Sequence, residues 1–207
     1  MLQRNNKGRL YILSAPSGTG KTTLCTSLLD LVPNLKESVS FTTRKPRVGE
    51  IQDVDYTFIS VEEFKLMLNG GQFIEWAEVF GNYYGTSLKR IEEILSSGGD
   101  VLLDIDIQGV RQIKAKHTDA VFIFILPPSM ETLEQRLRGR GKDSEEDIIK
   151  RLLVAKKEMM ECVFYDYIIV NDVLDHALNQ LQSIIVSNRL RTDGIDYQWL
   201  ENHFDIH

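Results

Sequence analysis

Short unbroken apolar runs at Leu10–Leu13, Val101–Leu103 and Val121–Leu126 have the texture of strands covered on both faces, which need no polar side. They predict strands at 9–14, 101–105 and 121–126, the last ended by Pro127 and Pro128, with a further strand at 167–170. Between them the apolar spacing becomes helical. Helices are predicted at 21–31, stopped near Pro33; from a Ser129 cap to about Gly139; from a Ser144/Asp147 capping box to about Glu161; and over about 174–190. Strand and helix in alternation predict an α/β protein, a parallel sheet wrapped by helices in three layers.

From Lys36 to Gly85 the pattern shortens. Alternating segments at 56–59 and 73–80 flank a helix at 61–68 that opens with Ser60 and Glu63, so an inserted, partly β lobe is expected. Strict alternation places Phe73, Glu75 and Ala77 on one face of its second strand and Ile74, Trp76 and Glu78 on the other. The segment 192–207 has no clear period and receives no function.

At 207 residues and 43% hydrophobic, the chain can bury one sizeable core and is expected to form one domain. Its net charge of −6 argues against broad nucleic-acid or anionic-membrane binding, so a polyanionic ligand has to be held by local basic clusters. Residues 1–9 lack an apolar leader and 121–126 is far too short for a membrane span, so a cytoplasmic protein is expected. Cys25 and Cys162 stand alone and read as small buried hydrophobes; the four His residues form no zinc-like pattern.

The run APSGTGKT, Ala15 to Thr22, joins the first strand to the first helix. This is the form of a phosphate-binding loop: Gly18 and Gly20 let successive N–H groups turn inward at a helix N-terminus. Lys21 adds a point charge for the β and γ phosphates, and the Thr22 hydroxyl is placed for Mg²⁺. Ala15 stands where the usual pattern has Gly, but the donors nearest the phosphates lie in the half from Gly18 to Thr22.

A phosphate loop leaves the reaction open. In SVSFTTRKPRVGE (Ser38 to Glu50), Arg44 and Arg47 flank Pro46, and two guanidinium forks held apart suit one phosphate group. A solvated basic turn is the plainer reading of those residues taken alone. Tyr56 and Tyr84 add phenolic donors, while Ser40, Glu75, Thr86 and Asp106 supply the donors and acceptors that a purine edge needs.

With DYTFIS (Asp55–Ser60), FIEWAEVFGNYYGTS (Phe73–Ser87), LLDIDIQGV (Leu102–Val110), LEQRLRGRG (Leu133–Gly141) and IIVND (Ile168–Asp172), the chain resembles the guanylate kinases from Leu10 to about Arg191. The resemblance implies a P-loop core at about 9–35 and 98–191, a nucleoside-monophosphate-binding lobe at about 36–90 and an arginine-rich helical lid at about 136–151. It implies ATP as phosphoryl donor, GMP as acceptor and Mg²⁺ as cofactor. Carried over position by position, ATP contacts fall on Ala15, Pro16, Ser17, Gly18, Thr19, Gly20, Lys21, Thr22 and Thr23, with Asn171 near the adenine. GMP phosphate contacts fall on Arg44, Arg47, Tyr56 and Tyr84, and guanine contacts on Ser40, Glu75, Thr86 and Asp106. Lys21, Arg44, Arg136, Arg140 and Arg151 take the catalytic positions.

The chemistry supports the same assignment. Guanine presents N1–H and N2–H₂ donors beside O6, so a carboxylate such as Glu75 can accept twice while Ser40 donates. A phosphate acceptor with its second pKa near ~6 needs no general base, and the sequence shows no such catalytic loop. Charge neutralisation and alignment are needed instead, which fits Lys21, Arg44 and lid arginines; Arg136 and Arg140, four residues apart, share a helix face. A lid over Arg138–Ser144 that closes on both nucleotides would exclude water. Asp104, at the carboxyl end of its strand, is placed to hold Mg²⁺, with Asp106 two residues later on the same side by alternation.

Two alternatives remain at this point. Asp106–Gly109 fits the D-x-x-G of a GTPase, although no N-K-x-D guanine reader is present. An inactive guanylate-kinase-like binding module is the other, against which the intact Gly18, Gly20, Lys21 and Thr22 argue.

Overall fold

The computed structural model describes residues 7–79, 81–116, 119–139, 141, 144–194 and 197–205. Its elements are β1 (Leu10–Ser14), α1 (Lys21–Leu31), β2 (Leu35–Glu37), β3 (Phe41–Thr42), β4 (Thr57–Phe58), α2 (Val61–Asn69), β5 (Phe73–Val79), β6 (Asn82–Ser87) and α3 (Leu88–Ser96). They continue with β7 (Asp100–Asp104), α4 (Ile107–Lys114), β8 (Val121–Leu126), α5 (Met130–Gly139), α6 (Glu145–Met159), β9 (Tyr167–Val170), α7 (Leu174–Arg189) and α8 (Tyr197–Phe204).

A five-stranded sheet in the order β2-β7-β1-β8-β9 has every neighbouring pair parallel. Its strands are apolar on both sides because both sides are covered. Tyr11 and Leu13 pack with Leu24 and Leu28 of α1 and Leu181 and Ile185 of α7. Leu10 and Ile12 point the other way, onto Ile91 of α3 and Val110 and Ile113 of α4. The third layer of the expected α/β architecture is thus present.

A second sheet, β4-β3-β6-β5, forms the middle of the chain. β5 does not keep the strict alternation expected of it. Phe73 pairs with Ser87 and Glu75 with Thr86, so one extra residue lies in β5 and the register shifts. As a result Phe73, Ile74 and Glu75 are all buried: Phe73 stacks on Phe64 of α2 and Ile74 joins the core beneath the main sheet.

Several predicted bounds coincide with the observed ones, including α1, β8 and β9. Ile105 lies beyond the end of β7, and α6 ends at Met159, giving way to a 3₁₀ turn at Met160–Phe164. That turn leaves Cys162 only partly buried, whereas Cys25 is in the core, so the reading of both cysteines as buried holds for Cys25 alone. Among the described residues no helix is long and apolar enough to cross a membrane.

The two ends of the domain core are joined by one buried carboxylate. Asp100, at the start of β7, accepts from the Arg9 N–H through Oδ1 and from Arg189 Nε through Oδ2, each at 2.7 Å. Asp100→Ala would strand a backbone donor and a partly shielded guanidinium, and should lower the unfolding free energy by about 2 kcal/mol. Urea unfolding would show it, with substrate KM values unchanged.

Candidate active site

The phosphate loop has the geometry its glycines allow. Gly18 and Gly20 have φ of 95° and 96°, and Gly20 is the N-cap of α1 with no side chain capping the helix. The first-turn N–H groups of α1 therefore face outward from an uncapped, electropositive helix end, the natural seat of an anion. Pro16 and Thr19 brace the loop: the Pro16 carbonyl accepts from Thr19 N–H at 3.2 Å and from Thr19 Oγ1 at 2.7 Å. Ala15 packs against the main core, while Ser17, Thr22 and Thr23 are exposed at the loop mouth.

Lys21 Nζ forms an ion pair with Asp104 and donates to the Ile105 carbonyl at 3.1 Å. Asp104 thus stands at the carboxyl end of β7 beside the loop. Its charge and burial together push the Glu37 carboxyl above the usual range, burial contributing more. Thr22 and Asp104 offer the hard oxygen donors that Mg²⁺ takes, usually one or two per protein alongside phosphate and water. No denser cluster of metal ligands occurs among the described residues.

Arg136 comes down onto the loop. Its Nη1 donates to the Thr19 carbonyl at 3.2 Å and its Nη2 to the Asn171 carbonyl at 3.0 Å. Leu133 and Leu137, on the same helix, are so close that a Cβ at Gly18 would lie 3.0 and 2.9 Å from their methyl groups. Asn171, expected near the adenine, packs against the phosphate loop. It is buried, and its Nδ2 donates to the Thr19 carbonyl at 2.8 Å, so its amide braces the loop. Its residue still lines a cavity of about 490 Å³ with Gly18, Gly20, Thr23, Arg136 and Asp172.

Arg138, which the sequence reading placed at the start of the lid, bridges Glu134 and Glu145 and so ties α5 to α6. Arg151 lies on α6 near Asp147, whose carboxyl is held below its ordinary range chiefly by hydrogen bonds from Ser144, with the charges of Lys150 and Arg151 adding less. Arg140 lies outside the described residues, as do 142 and 143 of the proposed lid segment.

On the second sheet the acceptor-side residues fall into two groups. Tyr56 and Tyr84 have ring centroids 6.0 Å apart, and Arg44 stands 5.4 Å from the Tyr56 ring. Arg47 follows on the exposed turn beside them. Ser40, Thr86 and Glu75 form the other group: Thr86 Oγ1 donates to Glu75 Oε1, and the Ser40 and Thr86 hydroxyls are 3.4 Å apart.

Glu75 is buried, and among the described residues it has no cationic partner. Burial pushes its carboxyl pKa up, the Thr86 hydroxyl opposes that, and the Asp106 charge adds to the rise.

Asp106 reaches this group by a different route from the expected alternation. β7 has already ended, and Asp106 is the N-cap of α4, accepting from the Gly109 N–H at 2.9 Å. The D-x-x-G pattern is therefore a helix cap here.

Gln112, absent from the sequence reading, and Gly109, read there only as part of the D-x-x-G pattern, hold Glu75 in place. Gln112 of α4 pairs with both backbone groups of Trp76: the Trp76 N–H donates to Oε1 at 3.2 Å and Nε2 donates to the Trp76 carbonyl at 2.7 Å. Gly109 permits the approach, since a Cβ there would lie 2.9 Å from Glu75 Oε2. For Gln112, an amide six positions after the Asp106 cap was the only available signal, and it becomes readable only once α4 is recognised. Gly109→Ala should favour the isolated helix yet displace Glu75, raising KM for the acceptor nucleotide about tenfold while leaving that for ATP unchanged. Steady-state kinetics with each substrate varied in turn would test it.

The family model described as guanylate kinase matches residues 7–188. A curated guanylate kinase of Geobacter metallireducens is 53% identical over 186 residues, covering 90% of this chain and 92% of its own. Another, of Escherichia coli strain K12, is 54% identical over 187 residues, covering 89% and 90%. The crystal structure of guanylate kinase from Anaplasma phagocytophilum superposes with a TM-score of 0.76 at 35% identity, covering 100% of this chain and 99% of that one.

Proposed function

The chain belongs to the guanylate kinase family and is a nucleoside monophosphate kinase transferring a phosphoryl group from ATP to GMP; we propose that it does so with the residues and roles that follow. The observation carrying the assignment of roles is the buried carboxylate of Glu75, set beside the Ser40 and Thr86 hydroxyls with no cation of its own. A carboxylate in such surroundings needs donors from a ligand, and guanine supplies two on adjacent atoms, N1–H and N2–H₂. Adenine would turn a lone pair toward it and leave the charge unmatched. Ser40 donates to O6, and Asp106 extends the acceptor edge with the oxygen its helix cap does not use.

The phosphate of GMP is gripped by Arg44, Arg47, Tyr56 and Tyr84. ATP lies along the loop from Ala15 to Thr23, with its phosphates on the uncapped end of α1 and its nucleoside in the cavity lined by Thr23, Arg136, Asn171 and Asp172. Lys21 moves its charge between Asp104 and the incoming phosphates, neutralising the donor where negative charge develops. Arg136, Arg140 and Arg151 do the same from the lid, aligning two polyanions that would otherwise repel. The acceptor arrives as a dianion at neutral pH, so no side chain has to remove a proton. Mg²⁺, held through the Thr22 hydroxyl and the Asp104 carboxylate, would supply Lewis-acid neutralisation of the ATP phosphate oxygens. We place this reaction in the cytoplasm and in purine nucleotide metabolism, within a single domain whose residues 36–90 carry the acceptor and 136–151 the lid.

ADP formation from Mg-ATP with GMP, AMP, UMP and dTMP in turn would test the acceptor assignment. GMP should exceed AMP by at least about a hundredfold in kcat/KM. Activity confined to another monophosphate would overturn the reading.

Burial sets a sign for Glu75. A carboxyl whose folded pKa exceeds its unfolded value binds an extra proton in the folded state between the two, so stability falls as pH rises through that window. At neutral pH the ionised group costs stability and serves recognition. Glu75→Gln should therefore keep or raise the thermal midpoint at pH 7 while raising KM for GMP about a hundredfold. In the parent enzyme, kcat/KM for GMP should fall on the acid side through a pKa above the ordinary carboxylate range. A midpoint lowered by several degrees would show that Glu75 is there for stability.

A further inference from the structure

Arg44 does not stand free in the acceptor lobe, and the partner that holds it is built by the local chain. The Glu50 N–H donates to the Arg47 carbonyl at 3.1 Å, closing a four-residue turn whose third residue, Gly49, has φ 92°. Nothing lies within 4 Å of where a Cβ at Gly49 would sit, so the dihedral alone calls for glycine there. The turn returns the Glu50 carboxylate to the Arg44 guanidinium. Nη1 donates to Oε2 at 2.9 Å and Nη2 to Oε1 at 2.8 Å, while Oε2 also accepts from the Arg47 N–H at 2.7 Å.

The pair is partly shielded, its side chains 15% and 19% exposed. Mutual hydrogen bonding holds Arg44 well above and Glu50 well below their ordinary pKa values.

The choice of edge matters. A guanidinium has two forks, and Glu50 takes the one made by Nη1 and Nη2; the second Nη1 hydrogen goes to the Lys45 carbonyl at 2.8 Å. The fork of Nε and Nη2 lies outside the Glu50 contact; after Glu50, the Tyr84 hydroxyl also helps raise the Arg44 pKa, and the Tyr56 and Phe58 rings lie 5.4 and 5.8 Å from the guanidinium carbon. Of these, Tyr56 and Tyr84 are the groups expected to share a phosphate with it.

We propose that Glu50 is a positioning residue for the acceptor phosphate, fixing the outer fork of Arg44 and the backbone of Arg47 so that the inner fork meets the phosphate preformed. The proposal rests on the reading of Arg44 as a phosphate contact. Its rival is that Glu50 occupies the place of the phosphate and has to be displaced by it. The two predict opposite signs, because removing a positioning group weakens GMP binding and removing a competitor tightens it.

Glu50→Gln keeps the shape and removes the charge. Calorimetric Kd and steady-state KM for GMP should rise about tenfold, with kcat at saturating GMP and KM for Mg-ATP within about twofold of the parent. The Kd for guanosine, which lacks the phosphate, should be unchanged. Tighter or unaltered GMP binding would overturn the proposal, and so would an equal loss for guanosine, since the damage would then be general to the lobe. Gly49→Ala, which strains the turn and leaves the carboxylate intact, should shift GMP binding in the same direction and serves if Glu50→Gln does not fold. Arg44→Ala separates the premises: unchanged GMP binding in that variant would remove the phosphate reading itself, whereas a large loss with Glu50→Gln silent would remove only the role of Glu50.

Discussion

A loop that turns its N–H groups toward a ligand turns carbonyls the other way, and each of those needs a donor from the protein. Much of the donor half of the site follows from that constraint. The Thr19 carbonyl is satisfied by Asn171 at 2.8 Å and Arg136 at 3.2 Å, and the Pro16 carbonyl by Thr19 itself. Asn171 sits just past the end of β9 and Arg136 in the middle of α5. The helix bearing Arg136 is therefore fastened to the phosphate loop by the loop's own backbone requirement. Leu133 and Leu137 complete the contact by packing over Gly18.

The acceptor half obeys a different rule. A chain of net charge −6 that binds two polyanions has to place its cations locally and stop its own acids from quenching them. It does this by pairing acids with specific groups: Asp104 with Lys21, Glu50 with Arg44, Asp100 with Arg9 and Arg189. Glu75 has a hydroxyl where those acids have a cation, and it lies where we propose the base is read. Its unmatched charge is a stability cost held in place by Gln112 and Gly109, as recognition sites often require.

The sequence made the main sheet and its covering helices legible because continuous apolar runs and capped helices are local signals. α1, β8 and β9 emerge with their predicted bounds, and Ser60 and Ser144 cap the helices assigned to them. What escaped was short or depended on partners. β2 and β3 are too brief to show a period, β6 (Asn82–Ser87) carries no aliphatic residue to mark one, and α3 and α4 follow strands with no breaker between. The extra residue in β5 cannot be read from composition, because Phe73, Ile74 and Glu75 are each buried by a different neighbour: α2, the main core and Thr86. Glu50 was in plain view inside SFTTRKPRVGE, yet its role depends on a turn that only coordinates reveal.

The segment from Asp104 to Gly109 joins the two halves. Asp104 pairs with Lys21; the Ile105 carbonyl accepts from Lys21 Nζ at 3.1 Å and from Ser14 Oγ at 3.0 Å; Asp106 caps α4; and Gly109 seats Glu75. Six consecutive residues thus touch Lys21 of the phosphate loop at one end and the buried Glu75 at the other. The parallel sheet makes this possible, because β7 ends beside β1 where the phosphate loop begins, and the turn into α4 leads away toward the second sheet. A shift of this segment would move Lys21 and Glu75 together. The distance between the transferred phosphoryl and its acceptor is in this way governed by covalent chain and one helix cap rather than by side-chain packing alone, the kind of rigid support that in-line transfer between two bound anions demands.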